Sequence, residues 1–328
     1  MIYLESKSND PAYNTALELY AFNELAKEDD VFYLWINKPC IVVGKNQNTR
    51  EEIDQEYCDN HDIQIVRRVS GGGAVYHDYN NLNYTIISNE NREAFDFKSM
   101  SQPVIDALGE MGVEAQFTGR NDLQIGDRKF CGNAQYIKGN RIMHHGCMMF
   151  DVDLSVLSKA LRVSKDKIES KGKKSVRSRV TNIKEHMPDQ SWTVHDFLDK
   201  LRDFMDLKYD MKKYELTPED EEKIHAIMEE KNNSWDWVYG KNPDFTIQRK
   251  RRLPSGKVEA NINVVNGVID DIKFYGDFFG VKDVQELADM LKGATYDKKS
   301  ISEIISKINI NDYFMGVTNE EAVDILVD

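Results

Sequence analysis

Arg67-Arg-Val-Ser-Gly-Gly-Gly-Ala-Val-Tyr-His-Asp78 stands between two β-rich runs, 63–66 and 82–87. Three consecutive glycines remove every Cβ that would hold a ligand off the backbone. Amide N–H groups are then free to converge on an anionic or carbonyl oxygen, and Arg67 and Arg68 can neutralise phosphate. Taken alone, the segment serves equally as a flexible hairpin turn or a bulge. It matches neither G-x-x-x-x-G-K-S/T nor G-x-G-x-x-G, so a nucleotide bound here is held by neither a P-loop nor a dinucleotide fold.

Outward from this segment, further strand-like runs fall at 31–36, 41–43 and 143–150. Asp10-Pro11 reads as an N-cap followed by Pro at the first helical position. Ala16, Leu17, Leu19, Tyr20, Phe22 and Leu25 then recur with helical spacing, predicting an amphipathic helix as the first element. A second helical pattern spans 99–111. Strands and helices interleave, so the first two-thirds of the chain reads as a mixed α/β domain.

Two more helical patterns, 194–207 and 218–230, lead to Trp235-Asp-Trp-Val-Tyr-Gly240, and Pro243 marks a boundary. We therefore expect domains at 1–244 and 245–328. In the second, Val258, Ala260, Ile262 and Val264 alternate with polar residues, Asn266-Gly267 follows, and a β-rich run resumes over 269–275, which predicts a type I′ hairpin. Helical patterns at 283–291 and 300–308 complete a small α+β unit.

Composition narrows the classes. The chain has 328 residues, and 43 Lys plus Arg against 56 Asp plus Glu leave a formal charge of −13, which repels a phosphate backbone and argues against a general nucleic-acid binder. The N-terminus lacks the apolar run of a secretory signal, and no stretch approaches the roughly 18 apolar residues of a membrane span. A cytoplasmic protein with no membrane partner is expected. Cys40, Cys58, Cys131 and Cys147 are scattered without a Cys-x-x-Cys pair, which reads as reduced thiols.

Three further segments carry chemistry. In Gly119-Arg-Asn-Asp-Leu-Gln-Ile-Gly-Asp-Arg-Lys-Phe-Cys-Gly-Asn-Ala134, Gly126-Asp127 makes a tight turn and Lys129 starts the returning strand. A strand-mounted ammonium is well placed to bridge a carboxylate and an α-phosphate, although a solvated hairpin lysine has the same local sequence. In Met143-His-His-Gly-Cys-Met-Met-Phe150, strand alternation sends His144 and His145 to opposite faces, so they cannot share a metal. One should face a pocket and the other should pack. The third is a basic loop over 164–182, including Lys171, Ser175, Arg177 and Arg179, which is either a cover folding over a bound anion or a solvated charge run.

Together these segments resemble the lipoate-protein ligase family, related in fold to biotin protein ligases. The family pattern R-x-S-G-G-G-A-V-F/Y-H-D stands here as Arg68 to Asp78, G-R-N-D-L as Gly119 to Leu123, G-D-R-K as Gly126 to Lys129, H-H-G as His144 to Gly146, and S-V-R-S-R-V-T-N as Ser175 to Asn182. The resemblance covers nearly the whole chain. It implies a mixed-sheet catalytic domain of the biotin/lipoate ligase type with a small accessory domain. It also implies a two-step reaction: lipoate and Mg2+-ATP give lipoyl-AMP and pyrophosphate, then a lysine of an acceptor lipoyl domain displaces AMP. Acceptors in the family include 2-oxoacid dehydrogenase E2 subunits and the glycine cleavage H protein.

Carried over by position, the resemblance implies that Lys129 contacts both reacting groups and that Arg68, Gly73, Ala74, Val75 and Tyr76 hold the nucleotide. Ser70, His77 and His145 line the lipoate site, Asp122 helps to place Mg2+, and the basic loop covers the adenylate. Cys131 and Cys147 are departures from the pattern. Relatives in the superfamily transfer octanoyl or lipoyl groups through a cysteine thioester without ATP, which is the alternative for this chain. A non-catalytic lipoyl-protein binder would be favoured by loss of Arg68 or Lys129, both of which are present. Biotin ligation is disfavoured by the form of the glycine-rich segment.

Overall fold

A computed structural model describes residues 1–89, 96–162, 179–239, 246–253 and 256–327. The chain divides into a larger unit of Met1–Val43, Arg50–Val69 and Ala74–Val238, and a smaller one of Gly44–Thr49, Ser70–Gly73 and Tyr239–Asp328.

The larger unit begins with a strand, β1 (Ile2–Glu5), ahead of the expected first helix. The strands that follow are β2 (Val31–Ile36), β3 (Cys40–Val43), β4 (Gln64–Arg67), β5 (Val75–His77), β6 (Asn81–Ser88), β7 (Ala115–Thr118), β8 (Asp122–Ile125), β9 (Arg128–Lys138), β10 (Arg141–Met149) and β11 (Lys212–Lys213). Among the described residues they form an eight-stranded mixed sheet in the order β11-β1-β2-β6-β10-β9-β8-β7 and a three-stranded sheet in the order β4-β3-β5. In the large sheet the two β1 pairings are parallel and the run β2-β6-β10-β9-β8-β7 is antiparallel throughout.

Each face of the large sheet has its own core. On one, Phe32, Leu34, Tyr84, Phe130, Cys131 and Met148 pack with helices Phe97–Glu110 and Val194–Tyr209. On the other, Tyr33, Trp35, Ile87 and Met143 pack with helix Pro11–Asn23. Asp10 caps that helix by accepting from the Ala12 and Tyr13 amides, and Pro11 needs no amide partner at the first position. The amphipathic reading fails here, because ten of its thirteen residues, Glu18 included, are buried. A helix covered on nearly all sides cannot show a clean polar stripe.

In the smaller unit β12 (Ile247–Leu253), β13 (Gly256–Val265) and β14 (Val268–Gly276) form an antiparallel sheet. Asn266 and Gly267 both take positive φ, 51° and 80°, as a type I′ turn requires. Val258, Ala260 and Ile262 turn one sheet face onto helices Val284–Leu291, Lys298–Ile305 and Asn319–Val327. None of the described helices is long and apolar enough to cross a membrane.

Candidate active site

The position of Lys129 is set by an extra residue in its strand. Ile125 pairs with Arg128 and Gln124 with Lys129, but Leu123 pairs with Cys131, so Phe130 has no partner across the ladder. This is a β-bulge, and it re-aims whatever precedes it. In regular alternation Lys129 and Cys131 would share a face, and Cys131 points into the core beside Leu123 and Met148. With the bulge, Phe130 enters that core and Lys129 turns to the opposite face with Gly132. A Cβ on Gly132 would meet the Lys129 Nζ at 2.7 Å.

Lys129 is held on both sides. Its Nζ lies 2.7 Å from Asp122 Oδ1, and the carboxylate raises the pKa of an ammonium that burial would otherwise lower. Its carbonyl accepts from the Thr181 amide at 2.9 Å, and its backbone bridges Val180. The C-terminal end of the basic segment, at Val180 and Thr181, is thus stitched to the lysine's own strand. The Asp122 strand is tied to β9 through Asn121 and Asn133: the Asn133 amide donates to the Asn121 carbonyl at 2.9 Å, and Tyr84 Oη donates to Asn133 Oδ1 at 2.6 Å.

The two adjacent arginines have different tasks. Arg67 donates from Nε to the Trp237 carbonyl at 2.7 Å and from Nη2 to the Val238 carbonyl at 2.8 Å, while Trp237 Nε1 donates to the Arg67 carbonyl at 2.9 Å. These bonds tie Arg67 to the aromatic stretch rather than leave it for phosphate, contrary to the expectation from sequence. Arg68 is 8% exposed, donates to the Val42 carbonyl at 3.1 Å, and is pushed down to about 10 by burial. It lies within electrostatic reach of Cys147 and Glu18, and Lys129 also lies within reach of Cys147.

The glycine cluster divides. Ser70 to Gly73 belong to the smaller unit, where a Cβ on Gly71 would collide with the Phe278 carbonyl. The close approach that Gly71 permits is therefore to protein backbone. Gly72, with φ of 90°, takes a conformation that other residues avoid. Ser70 is buried, and its carbonyl accepts from the Lys45 amide at 2.8 Å. Ala74 leads into β5, where Val75 pairs with Val42, Tyr76 with Ile41 and His77 with Cys40. β5 is an edge strand, so alternate amides point away from the ladder.

His144 and His145 point to opposite faces. His145 Nδ1 lies 2.7 Å from Glu18 Oε1, which also accepts from Thr85 Oγ1 at 2.7 Å, and Trp35 Nε1 donates to the same hydroxyl at 3.3 Å. His144 packs in the other core between Gln135, Tyr84 and Ser101, and burial holds it at about 3. The cysteines separate in the same way. Cys131 is fully buried on the core face, where burial pushes its thiol well up, and Cys147 is half-buried on the Lys129 face. The Cys131 thiol thus lacks the lowered pKa of an activated nucleophile.

One face of the larger unit thus gathers Lys129, Asp122, Arg68, His77 and His145. Sequence reading missed Glu18, Trp35 and Thr85 beside them. The available signal was Glu18 itself, a carboxylate between Leu17 and Leu19 in the most apolar stretch of the helix. Lys171, Ser175 and Arg177 lie outside the described residues, and Arg179 directly precedes the bridged Val180.

The larger unit thus carries a strand-borne lysine and a desolvated arginine on its mixed α/β framework, and the class of protein follows from its relatives. Residues 10–205 match the family described as the lipoyl protein ligase A/B catalytic domain, and residues 242–326 match the bacterial lipoate protein ligase C-terminus. The chain belongs to the lipoate-protein ligase family. Lipoate-protein ligase LplJ of Bacillus subtilis is 41% identical over 330 residues, covering 99% of this chain and 100% of its own. Lipoate-protein ligase 1 of Staphylococcus aureus is 40% identical and covers 97% of each chain. Among solved structures, P. falciparum LipL1 in complex with lipoate superposes with a TM-score of 0.78 at 25% identity, covering 98% of this chain and 97% of that one.

Proposed function

We propose that this chain joins the carboxylate of lipoate to the α-phosphate of ATP, releasing pyrophosphate, and then passes the lipoyl group to the amine of a lysine on an acceptor lipoyl domain, releasing AMP. The observation that carries this reading is the pair of cations Lys129 and Arg68 on one sheltered face. Carboxylate and triphosphate repel one another, and two fixed cations screen that repulsion while aligning the reactants. Lys129, re-aimed by the bulge, bridges the acyl oxygen and the α-phosphate. Arg68 and the backbone of Gly73, Ala74, Val75 and Tyr76 hold the nucleotide. Ser70, His77 and His145 line the lipoate site, and Arg179 belongs to the covering segment with Lys171, Ser175 and Arg177.

Mg2+ fits as a companion of ATP. Among the described residues no three His, Cys, Asp or Glu side chains gather as a cage, which suits an ion that keeps waters and phosphate oxygens as ligands and takes one or two carboxylates. Asp122, 2.7 Å from Lys129 Nζ, would help to place it through the ion's waters, which an amide at this position could also bond, and the ion would neutralise phosphate charge. In the second step the acceptor lysine must arrive as a free amine, and Lys129 stabilises the charge returning to the α-phosphate as AMP leaves.

We take residues 1–244 as the catalytic part and 245–328 as the accessory part, in line with the two family matches. The acceptors are lipoyl domains of 2-oxoacid dehydrogenase E2 subunits and the glycine cleavage H protein, and the setting is the cytoplasm. The test is lipoate-dependent exchange of labelled pyrophosphate into ATP. Exchange is expected in the wild type and not in Lys129→Ala. Absence in both, with acyl transfer between proteins that disappears on changing Cys147 to Ser, would overturn the reading.

A further inference from the structure

His77 is 3% exposed, and its Nε2 has no hydrogen-bond partner among the described residues. Which nitrogen carries the proton follows from the network behind the ring. Asn14 is fully buried and its Nδ2 faces the carbonyls of Ser8 at 3.0 Å and Ile36 at 3.2 Å, so that atom must be the amide nitrogen. The same Nδ2 donates to Asn37 Oδ1 at 2.9 Å, which fixes the Asn37 amide in turn and leaves its Nδ2 against His77 Nδ1 at 3.2 Å. An amide nitrogen can only donate, so His77 Nδ1 accepts, and the ring proton sits on Nε2.

A buried N–H with no acceptor is costly, and such groups in native proteins call for an explanation. The ring lies within electrostatic reach of Arg68 and His145, and Trp35 stands edge-on to it with centroids 6.1 Å apart. Resting on the ligase reading above, the geometry points to His77 as a neutral hydrogen-bond donor to the carboxylate oxygen of the acyl substrate, with Asn37 and Asn14 as the positioning residues that hold its tautomer. Sulfur is a weak acceptor and a carboxylate oxygen a strong one, and Arg68 marks this end of the face as the place for negative charge. Burial, with Arg68 beside it, keeps the ring at about 3. It therefore donates without adding a third cation to the site.

The test uses the full chain and lipoate or octanoate without nucleotide. Nitrogen-detected NMR of imidazole-labelled protein at neutral pH should show His77 with its proton on Nε2, and saturating lipoate should shift that proton downfield. By calorimetry His77→Phe should bind lipoate and octanoate about tenfold more weakly and to equal extents, while His77→Gln, which restores a side-chain N–H, should lose less. A proton on Nδ1, an Nε2 proton unmoved by bound lipoate, or a loss confined to lipoate and hence to its sulfur end, overturns the inference. If the wild type binds lipoate and the His77 signal does not respond, this inference alone falls. If the wild type binds neither acid, the ligase reading falls with it.

Discussion

Lys129 Nζ and Asp122 Oδ1 stand 2.7 Å apart across the first rungs of the β8–β9 hairpin, with both side chains about one-third exposed. At that exposure the pair contributes little to stability, on the order of 1 kcal/mol or less. Its value is positional. Asp122→Asn keeps an oxygen acceptor for the ammonium, so it should retain pyrophosphate exchange within about tenfold, while Asp122→Ala should lose roughly a hundredfold. Thermal melts of both should stay near the wild type. Equal loss in the two variants would mean that the carboxylate charge, not its hold on Lys129, is what matters.

Gly132 reports on the same lysine from the other side. Gly132→Ala places a methyl group 2.7 Å from the present position of Lys129 Nζ. A flexible ammonium can move aside, so we expect a stability change under about 1 kcal/mol together with at least a tenfold fall in exchange rate. Unchanged exchange would show that the ammonium need not lie over Gly132.

Acid sensitivity should come in part from the core histidine. His144 is held at about 3 by burial and by the neighbouring His145, whereas an unfolded histidine titrates near 6.5. Between these values the unfolded chain binds the extra proton, so stability falls as pH drops, by up to about 1.4 kcal/mol per pH unit for the site. His144→Asn should be less stable at pH 7 yet lose less between pH 7 and pH 5, as read from urea midpoints. A slope equal to that of the wild type would remove His144 from the acid response.

Gly71 and Phe278 test the division of the glycine cluster. A methyl group at Gly71 meets a backbone carbonyl, which cannot turn away as a side-chain tip would. Gly71→Ala should cost about 1–3 kcal/mol through overpacking, measured by denaturant unfolding. No loss of stability would mean that the Phe278 carbonyl is not fixed there.

Much of the architecture was legible in the chain. The β-rich runs at 31–36 and 82–87 appear as β2 and β6, the helix at 194–207 as Val194–Tyr209, and the Asn266-Gly267 turn where its neighbours place it. β1 and the basic edge strand β12 were not legible, because four residues give little periodicity and Arg249, Lys250, Arg251 and Arg252 mask alternation. At the site, motifs located Lys129 and Arg68 but could not assign bonding partners. Arg67 and Arg68 look alike in sequence and differ only in what lies around them. The bulge was equally hidden, since no residue in Arg128-Lys-Phe-Cys131 announces it and only the pairing with Leu123 and Gln124 reveals it.

That single unpaired residue has a consequence for how the protein tolerates change. Facing in a strand is a matter of parity, and the bulge absorbs Phe130, the one residue that would otherwise put Lys129 and Gly132 on opposite sides. Deleting Phe130 would restore regular alternation and still bring Lys129 out beside Gly132, whereas straightening the bulge with the residue count unchanged would turn the ammonium toward the apolar layer. The side on which this lysine emerges is thus guarded by the ladder that holds the bulge, and a change that lets Phe130 rejoin the pairing is more dangerous than the loss of that residue.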